Sequence, residues 1–271
     1  MNKLQNLARL RLNFTTNGLK TKWLGKNLYY YQTVDSTNEV AKAYIDIGQE
    51  EGTVIIADYQ TAGRGRLGRK WESPEGGGLW FSVIFKPPFE LKYFPQVNLL
   101  AAVAVVEAVK KRTGIALGIK WPNDLLLNHC KVCGILAETY FNKEEVNYLI
   151  LGVGLNVNVS EDDLSQEIRL SSTSINTALK KYIQREPLFS EILYCLENWY
   201  ETFIGSGISA VRRAWLENNI TLGRWVEIRS FGEVFHGKAV DISMDGNLLV
   251  EGERGEIKSF VTGDVSLRVI D

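Results

Sequence analysis

The chain has 271 residues, 45% hydrophobic and 23% charged, close to the average of a folded globular protein and long enough for about two domains. Lys plus Arg number 31 against 32 Asp plus Glu, so there is no basic surplus of the kind that coats nucleic acid, and any anion site has to be local. The longest apolar run, Leu99 to Val106, is far short of the ~18 residues a membrane span needs, which rules out a membrane protein, and no membrane partner is expected; three cysteines cannot all pair, which points to a reducing compartment, the cytoplasm.

In chain order, Leu28 to Val34 reads as a strand. Asp35-Ser36-Thr37-Asn38-Glu39 then supplies capping residues ahead of Val40, Ala41, Tyr44 and Ile45 at helical spacing. Ser36 and Glu39 have the spacing of a capping box, and Gly48 is the stop. Thr53 to Tyr59 is β-rich and leads into a glycine-rich stretch, Gln60 to Gly78, that is too polar for a strand. Leu79 to Phe85 resumes strand character until Pro87-Pro88, where no ladder donor is available, and Gln96 to Thr113 reads as a buried helix. Leu117 to Trp121, Leu125 to Leu127, Val132 to Tyr140 and Val146 to Val159 follow as strands, the first pair joined by a turn at Pro122-Asn123-Asp124. Helical spacing returns from Leu188 to Phe203 and from Ile208 to Glu217. Beyond a boundary near Asn219, Trp225 to Arg229, Val234 to Ile242, Asn247 to Glu251, Ile257 to Val261 and Val265 to Val269 predict a small barrel, so the chain divides into 1–219 and 220–271.

Chemistry-bearing residues concentrate in a few places. Gly63-Arg64-Gly65-Arg66-Leu67-Gly68-Arg69-Lys70-Trp71 interleaves four cations with three glycines: glycine lets backbone N–H groups approach an anion, and arginine forks chelate carboxylate or phosphate oxygens. No Gly-Lys-Ser/Thr ending follows, so it is not a Walker loop. On its own it reads equally as a solvated loop or an RNA-binding patch. Lys120-Trp121-Pro122-Asn123-Asp124 places a cation, a stacking surface, an amide and a carboxylate in one strand-to-turn unit, which is also ordinary turn chemistry. Gly152-Val153-Gly154-Leu155-Asn156 admits a ligand in a strand pattern, but Val157 and the missing helix exclude a dinucleotide fingerprint. Cys130-Lys131-Val132-Cys133 beside His129 lacks the second ligand pair that structural zinc needs, since Cys195 and His236 stand in distant contexts. Ser36-Thr37-Asn38 is either a helix start or a donor cluster for a polar ligand head.

Taken together and in order, Asp35-Ser36-Thr37-Asn38, Gln60 through Trp71, Lys120 through Asp124, Lys131-Val132-Cys133-Gly134-Ile135-Leu136 and Gly152 through Asn158 resemble biotin protein ligase, over a span from about Thr21 to the C-terminus. The resemblance implies an α+β fold: a class II synthetase-like mixed β-sheet flanked by helices, with a C-terminal SH3-like barrel. It implies condensation of biotin with ATP to biotinyl-5′-AMP, then transfer to a lysine on the biotin carrier domain of a carboxylase. By position, Ser36, Thr37, Asn38, Gln60, Arg64, Gly65, Arg66, Lys131 and Gly134 would hold biotin and its acyl phosphate, with Arg66 and Lys131 in the catalytic roles. Arg69, Trp71, Asn123, Asn156 and Arg268 would fall on the nucleotide side. Magnesium is expected with ATP, with Asp124 as its local carboxylate. A lipoate or octanoate ligase relative and a non-catalytic nucleic-acid-binding module are the alternatives. About twenty residues precede Thr21, too few for the winged helix-turn-helix domain of many bacterial members, so DNA binding is not expected; a homodimer is compatible with the resemblance.

A mixed anhydride must be shielded from water, and a glycine-rich segment suits a lid. Amide hydrogen exchange across 63–71 is expected to slow on addition of biotin and ATP, and unchanged exchange would remove the lid from the account.

Overall fold

The structure, a computed structural model, describes residues 18–90, 93–142, 147–230, 232–261 and 265–270. Strand β1 (Leu28–Val34), helix α1 (Thr37–Asp46) and strand β2 (Val54–Gln60) form a crossover in which the two strands run parallel. Strand β3 (Gly78–Phe85) turns back against β2, and the long helix α2 (Phe94–Thr113) leads to β4 (Gly118–Lys120), β5 (Asp124–Leu127), β6 (Cys130–Phe141) and β7 (Asn147–Asn156). These pair antiparallel, and β7 returns to β3, giving one seven-stranded mixed sheet in the order β1-β2-β3-β7-β6-β5-β4. Helices α3 (Gln166–Arg169), α4 (Ile175–Leu179), α5 (Arg185–Ser206) and α6 (Ile208–Asn218) follow. Five strands, β8 (Trp225–Ser230), β9 (Glu233–Ile242), β10 (Leu248–Glu251), β11 (Ile257–Phe260) and β12 (Val265–Val269), then build an all-antiparallel SH3-like sheet ordered β11-β10-β9-β8-β12.

Strand pleating decides which residues meet. Leu79, Phe81, Val83 and Phe85 of β3, and Leu149, Leu151, Val153 and Leu155 of β7, enter the main core with α2 and α5. Ile84 and Ile150, on the other face, pack with Tyr44 and Ile45 of α1. Farther along that second face, the register aligns Ser82 with Gly152 and Leu136, and Trp80 with Gly154 and Gly134. There the apolar filling stops and the site begins. Because β3 is central and covered on both sides, all eight of its residues are buried, as its unbroken apolar sequence requires.

The main core does not end at the second sheet: Val226, Ile228, Ala239, Ile242, Leu248 and Val250 belong to it. Polar ties hold the junction. Thr221 Oγ1 accepts the Trp121 N–H at 2.9 Å, the Trp121 indole donates to the Gly246 carbonyl, Gln96 Nε2 donates to the Met244 carbonyl, and Arg212 forks onto Asp241.

Two sequence expectations need correcting. The capping box does not form: Ser36 makes no side-chain cap bond, and Gln60 Oε1, from β2, instead accepts the first helical N–H, that of Thr37, at 2.9 Å. Glu39 is drawn off to Lys42 and Arg64. Helices α3 and α4 fall in a polar stretch where no element is expected; each is too short to show a helical stripe.

Ahead of β1, the carboxylate of Glu197 on α5 is 1% exposed and accepts the backbone N–H groups of Lys22, Trp23 and Leu24 at 2.7, 2.9 and 2.8 Å. Glu197→Ala leaves all three N–H groups without their acceptor, so a stability loss of about 2–4 kcal/mol is expected in urea denaturation. A loss below about 0.5 kcal/mol would show that this clasp is not structural.

Candidate active site

The uncovered part of the sheet's second face opens into a cavity of ≈ 600 Å³. Gly134, Gly152 and Gly154 are its floor, and the glycines are there for space. A Cβ on Gly152 would lie 2.5 Å from Asn38 Oδ1, and one on Gly154 would lie 2.5 Å from Trp71 Nε1. On Gly134 it would lie 2.8 Å from the same indole ring. The indole therefore rests directly on backbone, with Lys131 Nζ 5.2 Å from its centroid on a cation–π contact.

At the α1 end the cavity is buried and polar. Ser36, Thr37, Asn38 and Gln60 are all less than a tenth exposed. Ser82 Oγ lies 2.7 Å from Thr37 Oγ1 and donates to Asn38 Oδ1 at 2.6 Å; Asn38 Nδ2 in turn donates to Glu138, and Gln60 Nε2 donates to Ser73. The hydroxyls of Thr37 and Ser82 and the amides of Asn38 and Gln60 are each oriented by a neighbour, so the pocket end is pre-shaped for a ligand with its own donors and acceptors.

The other end is cationic. Arg64, Arg66, Arg69, Lys70, Lys120, Lys131, Arg229 and Arg268 line the cavity against three carboxylates, Glu72, Asp124 and Glu227, a surplus of five positive charges in a chain of net charge -1. Some cations are anchored: Arg64 on Glu39 at 2.7 Å, Arg66 on Asn123 Oδ1 at 3.2 Å and Lys131 on Asp124 at 2.6 Å. The side chains of Arg69, Lys120 and Arg268 make no hydrogen bond or ion pair among the described residues. Burial holds the Lys120 ammonium below the ordinary lysine range; Asp124 opposes this, while Lys131 and Arg69 add to it. Glycine-rich chemistry shapes the loop that brings four of these cations in. Its base is closed by Trp71 N–H to the Gly63 carbonyl and Gly65 N–H to the Arg69 carbonyl, and Leu67 and Gly68 turn through positive φ.

All the residues given a role by the resemblance thus line one cavity, whereas His129, Cys130 and Cys133 do not line it. Several lining residues were not singled out for a role. Lys120 stood in a chosen motif, unassigned. Ser171 and Ser172 come from the segment after α3, whose backbone bonds Lys131 from both sides, by Lys131 N–H to Ser171 O and Thr173 N–H to Lys131 O. Glu227 and Arg229 stand on the outward face of β8, where alternation predicts solvent and nothing more. Ser82, which lies behind the lining and bonds Thr37 and Asn38, did carry a signal: it is a lone hydroxyl in an apolar strand.

No group of three His, Cys, Asp or Glu among the described residues is arranged for a metal, and Asp124 is committed to Lys131. These residues do not fit a resident metal site. The cysteines are free, and burial pushes the Cys133 thiol well up, which keeps it an inert core residue.

The floor can be tested directly. Gly154→Ala is expected to displace the Trp71 indole, shift tryptophan emission and cost about 1–3 kcal/mol, whereas Gly205→Ala, in α5 with open space around it, leaves the emission unchanged and costs no stability. Unaltered emission in Gly154→Ala would refute the packing described.

Residues 29–156 match the Biotin/lipoate A/B protein ligase family, and residues 221–268 the Biotin protein ligase C terminal domain. The chain is 38% identical over 250 residues to the bifunctional ligase/repressor BirA of Bacillus spizizenii, covering 92% of this chain and 77% of that one. It is 30% identical over 224 residues to the biotin–acetyl-CoA-carboxylase ligase of Paracoccus denitrificans, covering 82% and 92%. Biotin protein ligase from Aquifex aeolicus, solved in complex with biotin and ATP, matches with a TM-score of 0.80 at 34% identity, covering 90% of this chain and 100% of that one. With likeness running through both sheets and nine-tenths of the length, the chain belongs to the biotin protein ligase family.

Proposed function

We propose that this chain joins the carboxylate of biotin to ATP and passes the biotinyl group to a lysine on the biotin carrier domain of a biotin-dependent carboxylase, in the cytoplasm. The surplus of positive charge, beginning where a buried polar pocket ends, is the observation that carries the reading. A carboxylate and a triphosphate repel each other, so the site must neutralise both while holding them in line; orientation of two bound reactants contributes roughly 7–11 kcal/mol.

Ser36, Thr37, Asn38 and Gln60 are suited to the polar ring head of biotin, with Gly134 leaving it room. Arg64, Gly65, Arg66 and Lys131 then meet the carboxylate, which attacks the α-phosphorus; the bond to the β-phosphate oxygen breaks and pyrophosphate leaves. In transfer, the lysine amine attacks the acyl carbon, the acyl–oxygen bond breaks, AMP leaves and the amine loses a proton. Arg69, Trp71, Asn123, Asn156 and Arg268 fall to the nucleotide. Asn156 supports this assignment. Its Nδ2 donates to the Thr173 carbonyl, which fixes the amide's orientation, and its buried Oδ1 has no partner among the described residues, so it offers an acceptor to a donor such as an exocyclic amine of a base. Asp124 serves here as the anion that positions Lys131, and magnesium enters only as the ion that ATP carries. The acting residues come from the proposed catalytic unit 1–219, apart from Arg268 in the unit 220–271. The Bacillus relative is a repressor as well as a ligase.

Labelling of a carrier domain by purified protein with biotin and ATP is expected, with Arg66→Ala and Lys131→Ala each reducing it by about 10²–10³. Excess lipoate should not compete in biotin-dependent ATP–pyrophosphate exchange. Full activity in both variants would overturn the site roles, and competition by lipoate would overturn the substrate.

A further inference from the structure

The geometry points to Arg229, on the C-terminal sheet, as a residue that grips the β- and γ-phosphates of ATP and the pyrophosphate formed from them. This rests on the ligase reading above. The alternation of β8 sends Val226 and Ile228 into the core and Glu227 and Arg229 to the cavity face. Across the ladder Glu227 stands opposite Arg268 on one side and His236 on the other. The Glu227 carboxylate is used twice: Oε1 accepts Arg229 Nε at 2.8 Å, and Oε2 lies 3.2 Å from His236 Nε2. Holding a guanidinium by Nε leaves its paired Nη edge for a second anion, the fork geometry that suits phosphate oxygens.

Position selects which phosphates. The chain enters this sheet from beside β4, where Ile119 pairs with Asn219 and the Trp121 N–H bonds Thr221, so its cavity-facing cations are joined to the Lys120–Asn123 side of the lining. A carboxylate held between this side and the polar end, at Arg66 and Lys131, directs the α-phosphate toward the middle and the outer phosphates toward Arg69, Lys120, Arg229 and Arg268.

The test is a split of the two half-reactions. In Arg229→Gln the KM for ATP in biotin-dependent pyrophosphate exchange is expected to rise about tenfold or more, the loss of one charge-assisted fork, while the KM for biotin stays within about twofold. Transfer from supplied biotinyl-5′-AMP, which lacks the outer phosphates, should also stay within about twofold, and Arg229→Lys should recover part of the ATP affinity. An unchanged KM for ATP overturns the assignment, as does an equal fall in transfer from supplied adenylate, which marks a structural role. No exchange by the unmodified protein overturns the ligase reading and this assignment with it.

Discussion

Like charges gathered in one cavity repel each other, and everything about this site follows from how that repulsion is contained. The cations reach the cavity from separate elements: the glycine-rich loop, β4, β6, β8 and β12. Three carboxylates, Glu39, Asp124 and Glu227, steady Arg64, Lys131 and Arg229 without neutralising the whole. The cost is visible at Lys120, whose burial near Lys131 and Arg69 disfavours its charged form. A polyanionic ligand relieves that cost, so the cavity is electrostatically suited to the reactants the ligase chemistry needs.

Space for those reactants comes from the pleat. On one face of β6 and β7, Cys133, Ile135, Val153 and Leu155 are core; one residue along, Gly134, Gly152 and Gly154 are floor. A single-residue slip in register would exchange the two sets, so the apolar core and the hollow site specify each other. Trp71 closes the arrangement from the loop side, and its contact with the floor links loop position to sheet register.

The C-terminal sheet is part of this mechanism rather than an appendage. Its inward residues complete the main core, and its outward ones, Glu227, Arg229 and Arg268, complete the rim of the cavity. Trp121 shows how closely the two are coupled: its backbone N–H bonds Thr221 and its indole bonds Gly246, while its neighbours Lys120 and Asn123 line the cavity.

Local pattern was enough for much of this. Alternation and helical spacing placed the strands, α2, α5 and α6 within a few residues, because those elements bury continuous apolar faces. The cation–glycine loop and the Trp-Pro-Asn-Asp turn were conspicuous because such clusters have few uses in a core. Other features depended on distance in space. The pairing of Arg64 with Glu39, the capping of α1 by Gln60 instead of Glu39, and the presence of Glu227 and Arg229 at the cavity all arise from contacts between separate elements. No local period records those contacts; only the packing of the elements against one another decides them.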